Sequence, residues 1–260
     1  MNAIKFFNLT VINRYLYFLL FSLLLFFISS CNDNNCPTCY NDDNSYSIHG
    51  SGNITTDTLE LPQFNSIDHL TVGTVNITYG DVQSVQVSCD DNIHDYIVLE
   101  VINKDLKIYT DSRNGLSNFK LTIDITMTEV KSLSASSAGS IKSKNTFYAD
   151  KVYLYLNSAG NIFLDLNVDE LYSNVNSAGN LFVRGVANKH FSSVNSAGNM
   201  SAFSLETDST IISLSSAGSA EVYVKKYLRA TLSSIGCLYY IGHPVIEQHV
   251  SSLGSIIDSN

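Results

Sequence analysis

The feature that most limits what this chain can fold into is a tripeptide, Ser-Ala-Gly, that returns at a nearly constant interval. It stands at Ser137-Ala138-Gly139, Ser158-Ala159-Gly160, Ser177-Ala178-Gly179, Ser196-Ala197-Gly198 and Ser216-Ala217-Gly218. Looser copies follow at Ser234-Ile235-Gly236 and Ser252-Leu253-Gly254. Subtracting successive glycine positions gives steps of 21, 19, 19, 20, 18 and 18 residues. A sustained period of this size marks a solenoid, in which no coil can bury its apolar face alone and each one stacks on the last.

The repeats align position by position. Four residues before the glycines stand Ala135, Leu156, Val175, Val194, Leu214, Leu232 and Val250. Two residues after them stand Ile141, Ile162, Leu181, Met200, Ala220, Leu238 and Ile256. All are apolar, as strand residues facing a core should be, and period-two geometry predicts that the serine two before each glycine also points inward. The glycines Gly139, Gly160, Gly179, Gly198, Gly218, Gly236 and Gly254 are read as coil corners needing a positive φ or a close backbone approach. Asn161, Asn180 and Asn199, each directly after a glycine, can bond to the turn and stack as a ladder.

A coil of this length suits three short strands and three turns. The predicted fold is all-β, a right-handed single-stranded parallel β-helix with three sides. About eleven such coils fit between Ser45 and Asn260, a rod of roughly 50 Å at ~4.8 Å per coil. Upstream, alternating runs such as Val85-Gln86-Val87, Ile97 to Val101 and Leu121 to Ile125 continue the strand pattern, and no sustained helical spacing occurs. Ile48…Gly52-Asn53-Ile54 reads as a first coil, with loops near Asp90-Asp91-Asn92 and from Asp111 to Gly115.

The N-terminus reads as an address. Lys5 and Arg14 precede an apolar run from Tyr15 to Ile28, 14 residues long and too short for a bilayer span of about 20. The run ends in Ile28-Ser29-Ser30-Cys31, similar to a bacterial lipobox, which makes Cys31 the expected lipid attachment residue; an ordinary secretory signal or an uncleaved anchor are the other readings. The resulting division is a signal peptide over 1–30, a polar tether over 31–45 and a β-helix over 46–260. In the tether, Cys36 and Cys39 have the spacing of a redox pair, but no helix start follows and zinc would need four ligands. A local disulfide, or no function, fits better.

Charge narrows the partners. Removing Lys5 and Arg14 leaves 13 basic against 24 acidic side chains, a net of 13 − 24 = −11. Such a surface repels phosphate, so nucleic acid is not an expected partner. The serines recur in equivalent places, as scaffold residues do, and a nucleophile needs a base held by a third group. His49, His69, His94, His190, His243 and His249 show no common offset from them and read as surface or turn residues. No metal motif or cofactor loop is present, so no catalytic residue, metal or cofactor is expected. Asp165, Asp169 and Glu170, with Arg184 and Lys189 a coil later, read as a solvated rim rather than a cleft. Alternation turns Tyr153, Tyr155 and Tyr223 outward, where Tyr172 is a further candidate contact; it puts Cys89 inside and Cys237 outside, which excludes a bond between those two.

With these residues in view the chain resembles a known family. Phe64-Asn65-Ser66-Ile67, Val75-Asn76-Ile77, Asp91-Asn92-Ile93, Leu106-Lys107-Ile108, the Ser-Ala-Gly-Asn units and Tyr240-Ile241-Gly242-His243-Pro244 are similar to the auto-transporter adhesin head GIN domain family, a DUF2807-type domain found largely in Bacteroidetes lipoproteins. The resemblance covers about Ser45 to Asp258 and implies a β-helix on the cell envelope, without catalytic residues to transfer. The expected function is a lipid-anchored envelope protein, in the outer membrane, presenting a rigid β-helix for binding to a surface glycan or envelope protein. A polysaccharide-active lyase or hydrolase is the alternative. An open last coil would leave a strand edge, to which a second copy could bind.

Overall fold

The computed structural model describes residues 47–112, 115–251 and 253–260. Cys31, Cys36 and Cys39, and with them the signal, lipid and tether readings, lie outside the described residues. The first strands are β1 (Ile48–His49), β2 (Ile54–Leu59), β3 (Ser66–His69), β4 (Gly73–Tyr79), β5 (Ser84–Asp90), β6 (Ile97–Ile102) and β7 (Asp105–Thr110). Then come β8 (Leu116–Ser117), β9 (Leu121–Met127), β10 (Ser132–Ala135), β11 (Gly139–Ser143), β12 (Phe147–Leu156) and β13 (Asn161–Val175). The chain closes with β14 (Asn180–Val194), β15 (Asn199–Ser216), β16 (Ser219–Ser234), β17 (Cys237–Ile241), β18 (Val245–Val250) and β19 (Ser255–Asp258).

From β10 onward every ladder between coils is parallel, and equivalent residues of successive coils pair: Ile141 with Ile162, Ile162 with Leu181, Leu181 with Met200, Met200 with Ala220 and Ala220 with Leu238. The stack is a β-solenoid of about seven turns of about 19 residues each. The predicted parallel β-helix is therefore present. Its count of about eleven coils is not, because residues upstream of β10 are spent on antiparallel pairs: β2 with β5, β5 with β9 and β6 with β7. Nor is Ile48 to Ile54 a first coil. β1 pairs only with β8 in a separate small sheet, and β2 runs antiparallel to β5.

The apolar positions before and after each glycine are buried as predicted from Ala135 and Ile141 to Leu232 and Leu238. Each such Leu, Ile or Val removed from water is worth about 1.5–3 kcal/mol, and this is what makes the stack cohere. In the last coil the same positions, Val250 and Ile256, are only partly covered. The burial pattern also shows where the coil bends. In β13, Ile162, Leu164, Leu166 and Val168 face inward, then Asp169 and Glu170 both face outward, and Leu171, Ser173 and Val175 resume inside. Two outward residues in a row mean the pleat has turned a corner. Gly185 in β14 makes another bend, at φ +114, where a Cβ would lie 2.0 Å from the Leu166 carbonyl oxygen.

At the Ser-Ala-Gly corner the glycine is there for the close backbone approach and not for a positive φ, and the serine does not point inward. The serine, not the glycine, has the left-handed backbone: φ is 56 at Ser137 and Ser158, 57 at Ser177, 60 at Ser196 and 61 at Ser216. These serines are exposed, and the glycines that follow them from Gly139 to Gly236 are buried. The four-residue turn is closed by bonds such as the Gly160 N–H to the Asn157 carbonyl at 3.1 Å. Glycine is required by space: a Cβ on Gly160 would lie 2.3 Å from the Ala135 carbonyl oxygen of the coil below. Strict alternation failed here because a positive φ between two inward residues swings the intervening side chain out.

Candidate binding face

Stacking equivalent residues at a ~4.8 Å interval turns every outward position into a row along the solenoid. The residue after each glycine forms one such row, Ser140, Asn161, Asn180, Asn199 and Ser219. Of the predicted ladder one step is bonded, Asn180 Nδ2 donating to Asn161 Oδ1 at 2.9 Å. A second ladder stands on the other side of the turn. Asn176 Nδ2 donates to Asn157 Oδ1 at 3.2 Å, Asn195 Nδ2 to Asn176 Oδ1 at 2.9 Å, and Ser215 Oγ to Asn195 Oδ1 at 2.7 Å. The two sets of bonds hold the Ser-Ala-Gly turns of successive coils together from both sides.

Three residues past the glycines runs a row of mixed chemistry: Lys142, Phe163, Phe182, Ser201, Glu221 and Tyr239. Phe163 and Phe182 stack with centroids 4.7 Å apart and planes 1° from parallel. Lys142 Nζ lies 5.4 Å from the Phe163 centroid. Beside them Arg184 Nε binds Asp165 Oδ2 at 3.1 Å. Next to this row β15 carries extra residues. Phe182 pairs with Ser201 and Gly185 with Leu205, so three residues of β15 oppose two of β14. On the other side Ala202 pairs with Val222 and Glu206 with Tyr223, leaving Phe203 to Leu205 opposite nothing. The coil from Gly198 to Gly218 is accordingly 20 residues long where the two before it are 19. The bulge borders a concavity of about 520 Å³ lined by Phe163, Phe182, Arg184, Ser201, Phe203 and Glu221, among others.

A second face carries Tyr153, Tyr172 and Phe191, stacked at 4.9 Å and 4.7 Å. Along its edge Glu170 lies 2.9 Å from Lys151 and 3.8 Å from Lys189 and accepts a hydrogen bond from the Tyr172 hydroxyl at 3.0 Å. The Lys151 ammonium, and then that hydroxyl, hold the Glu170 carboxyl below the usual range. Tyr155, 42% exposed, and Asn174 form the neighbouring row of a shallower groove of about 350 Å³.

The rim carboxylates singled out by sequence are thus spread over two faces, each with a partner: Asp165 with Arg184, Glu170 with two lysines, and Asp169 with the Asn188 amide at 2.8 Å. They do not converge on a reacting point. Among the described residues no group of three or more His, Cys, Asp or Glu could hold a metal ion. Cys89 is buried and Cys237 half-exposed, and both are free thiols, as alternation required. Burial, helped by Asp90 and Asp57, pushes the Cys89 thiol up to about 11.

Two histidines are not the surface or turn residues expected. His69 and His190 are buried. Inside the stack His190 Nε2 and Ser173 Oγ are hydrogen-bonded at 2.8 Å, Ser173 Oγ donates to Ser192 Oγ at 2.9 Å and Ser192 Oγ to Met200 Sδ at 3.3 Å. This puts a serine beside a histidine, but the site is closed to solvent and His190 Nδ1 has no hydrogen-bond partner to orient it. Desolvation alone lowers the His190 pKa to about 4. The chain of bonds lies within the core. What sequence reasoning missed is the phenylalanine row. Its signal was legible, since Lys142, Phe163, Phe182, Ser201, Glu221 and Tyr239 all stand three past a repeat glycine.

Fold and faces together define a β-solenoid that displays fixed rows of aromatic and charged side chains on its outer surface. Over residues 63–244 the sequence matches the family described as "Putative auto-transporter adhesin, head GIN domain" (DUF2807), and the chain belongs to that family. Among solved structures it is similar to a "putative adhesin" of Bacteroides fragilis, with a TM-score of 0.74 and 23% identity over 82% of this chain and 100% of that one. It is also similar to a "putative lipid binding protein" of Parabacteroides distasonis, with a TM-score of 0.71 and 22% identity over 83% and 100%. For a "putative adhesin" of Parabacteroides merdae the values are 0.68 and 20%, over 82% and 99%. At these identities the likeness is one of fold. No curated protein matches.

Proposed function

We propose that this chain is an adhesion-type, non-enzymatic binding protein of the cell surface or envelope, anchored through a lipid on Cys31. It presents the outward rows of a rigid solenoid to its partner. The observation that carries this reading is the family match over residues 63–244. The geometry agrees with it: two stacked aromatic rows stand partly exposed on the outer surface, and the carboxylates that a polysaccharide lyase or hydrolase would gather in a cleft are individually paired. Rows carried on coils bonded to one another lose little freedom on binding, which favours affinity from modest contacts.

The test compares cells that make the protein with cells that lack it. Loss of attachment to host or envelope material, restored by the full chain but not by Cys31→Ala, is the expected result, together with incorporation of labelled palmitate that depends on Cys31. Unchanged attachment without the protein would remove the adhesion reading; palmitate labelling that ignores Cys31→Ala would remove the anchor.

A further inference from the structure

The phenylalanine row stops abruptly. Phe163 is covered on one face by Lys142, with Nζ 5.4 Å from the centroid, and on the other by Phe182 at 4.7 Å. The next position in register is Ser201, whose side chain is too short to cover a ring, and the one after it is Glu221. Phe182, 37% exposed as Phe163 is, has no ring or cation stacked on the side toward Ser201 among the described residues. Two coil steps, roughly 9.6 Å, separate the Phe182 and Glu221 positions, room for one planar group lying on the ring. Phe203 and Ser204 of the bulge line the same concavity from the side.

We propose that this slot receives the guanidinium of an arginine on a partner protein. A ring face is the negative side of an aromatic quadrupole and attracts cations. Glu221, half-buried at the far wall, has no ion-pair partner among the described residues, whereas Asp165 and Arg184 in the same concavity neutralise each other. A ring side with no stacked partner and an unpaired carboxylate two coil steps away would be bridged by a planar cation. A related grouping occurs elsewhere: the Arg229 guanidinium lies 5.8 Å from the centroid of Tyr227 on its own strand and its Nη2 binds Glu247 of the next coil at 3.0 Å, where the Tyr227 hydroxyl also donates to Glu247. Arginine suits the slot better than lysine, since its flat, weakly hydrated group stacks and forks to a carboxylate at once. A net charge of −9 draws cationic partners toward the chain.

The inference rests on the binding reading above only in taking the partner to be a protein. It is tested on the full chain with fluorine-labelled phenylalanine, followed by fluorine NMR during titration with acetyl-arginine-methylamide, acetyl-lysine-methylamide and methyl glucoside. The arginine compound should move the Phe182 signal at millimolar concentration while that of buried Phe147 stays in place. Glu221→Gln should weaken the response about fivefold or more. Ser201→Phe should abolish it by continuing the stack, and should raise the melting temperature, which shows that the variant folds. Absence of an arginine response, a response unchanged in both variants, or a shift of Phe182 by methyl glucoside alone would overturn the slot as an arginine site. The last result would make it a sugar site, and none of the three would disturb the attachment assay.

Discussion

At the scale of single residues the repeat assigns a different burden to each of its letters. The serine accepts a left-handed backbone, which costs an L-residue about 1–2 kcal/mol, and the glycine accepts a missing side chain so that the coil below can approach. Substitutions should separate the two. Gly160→Ala forces a Cβ against the Ala135 carbonyl, and overpacking of this kind costs about 1–3 kcal/mol. Ser177→Gly should be neutral or stabilise by up to about 1 kcal/mol, because it relieves a φ of +57. Chemical denaturation of both variants decides it, and a destabilised Ser177→Gly with an indifferent Gly160→Ala would refute the assignment.

His190 makes a second residue-level prediction. Its pKa falls from 6.5 to about 4 on folding, so between those values the unfolded chain holds a proton that the folded chain does not. Stability is then fully present above pH 6.5 and falls as pH drops, by about 1.4 kcal/mol per unit, or about 2 kcal/mol by pH 5. Burial lowers His69 too, in the same sense. Urea midpoints at pH 7 and pH 5 should differ less in His190→Gln than in the parent chain; identical profiles would contradict the prediction.

Among elements, legibility tracked locality. β13, β14 and β15 were readable because each coil repeats the last and because their partners lie a fixed distance away in sequence. The antiparallel pairing of β5 with β9 was not, since Val85-Gln86-Val87 alternates in the same way whichever direction its neighbour runs. Nothing in Ile97 to Val101 announced that β6 would fold back on β7 rather than extend a coil. In the candidate site, the outward tyrosines followed from alternation and the rim charges from their one-coil spacing, while the pairing of those charges became visible only in the structure. The phenylalanine slot did not, because it depends on a bulge in β15 that becomes visible only as one surplus residue between Gly198 and Gly218.

For the whole molecule the two ends of the described stack differ. The N-terminal coils pack against antiparallel strands, whereas β18 is exposed at every position and carries Val245, 72% exposed, with Leu253 beyond it at 82%. Exposed strands with few covering contacts open most readily. Amide exchange in this chain should therefore be fastest in β18 and β19 and slowest in β13 to β15, and equal protection throughout would argue against nearest-neighbour stacking as the source of stability.

The one-to-one pairing of equivalent positions also sets a grammar for change in length. Inserting or deleting a whole coil leaves every row intact, so such a chain can grow or shrink in quanta of about 19 residues. A single added residue cannot be shared among the rows and has to be thrown outward, as Phe203 is. Places where the count goes wrong are thus where a uniform rod acquires individual surface chemistry, and the bulge beside Phe182 is such a place.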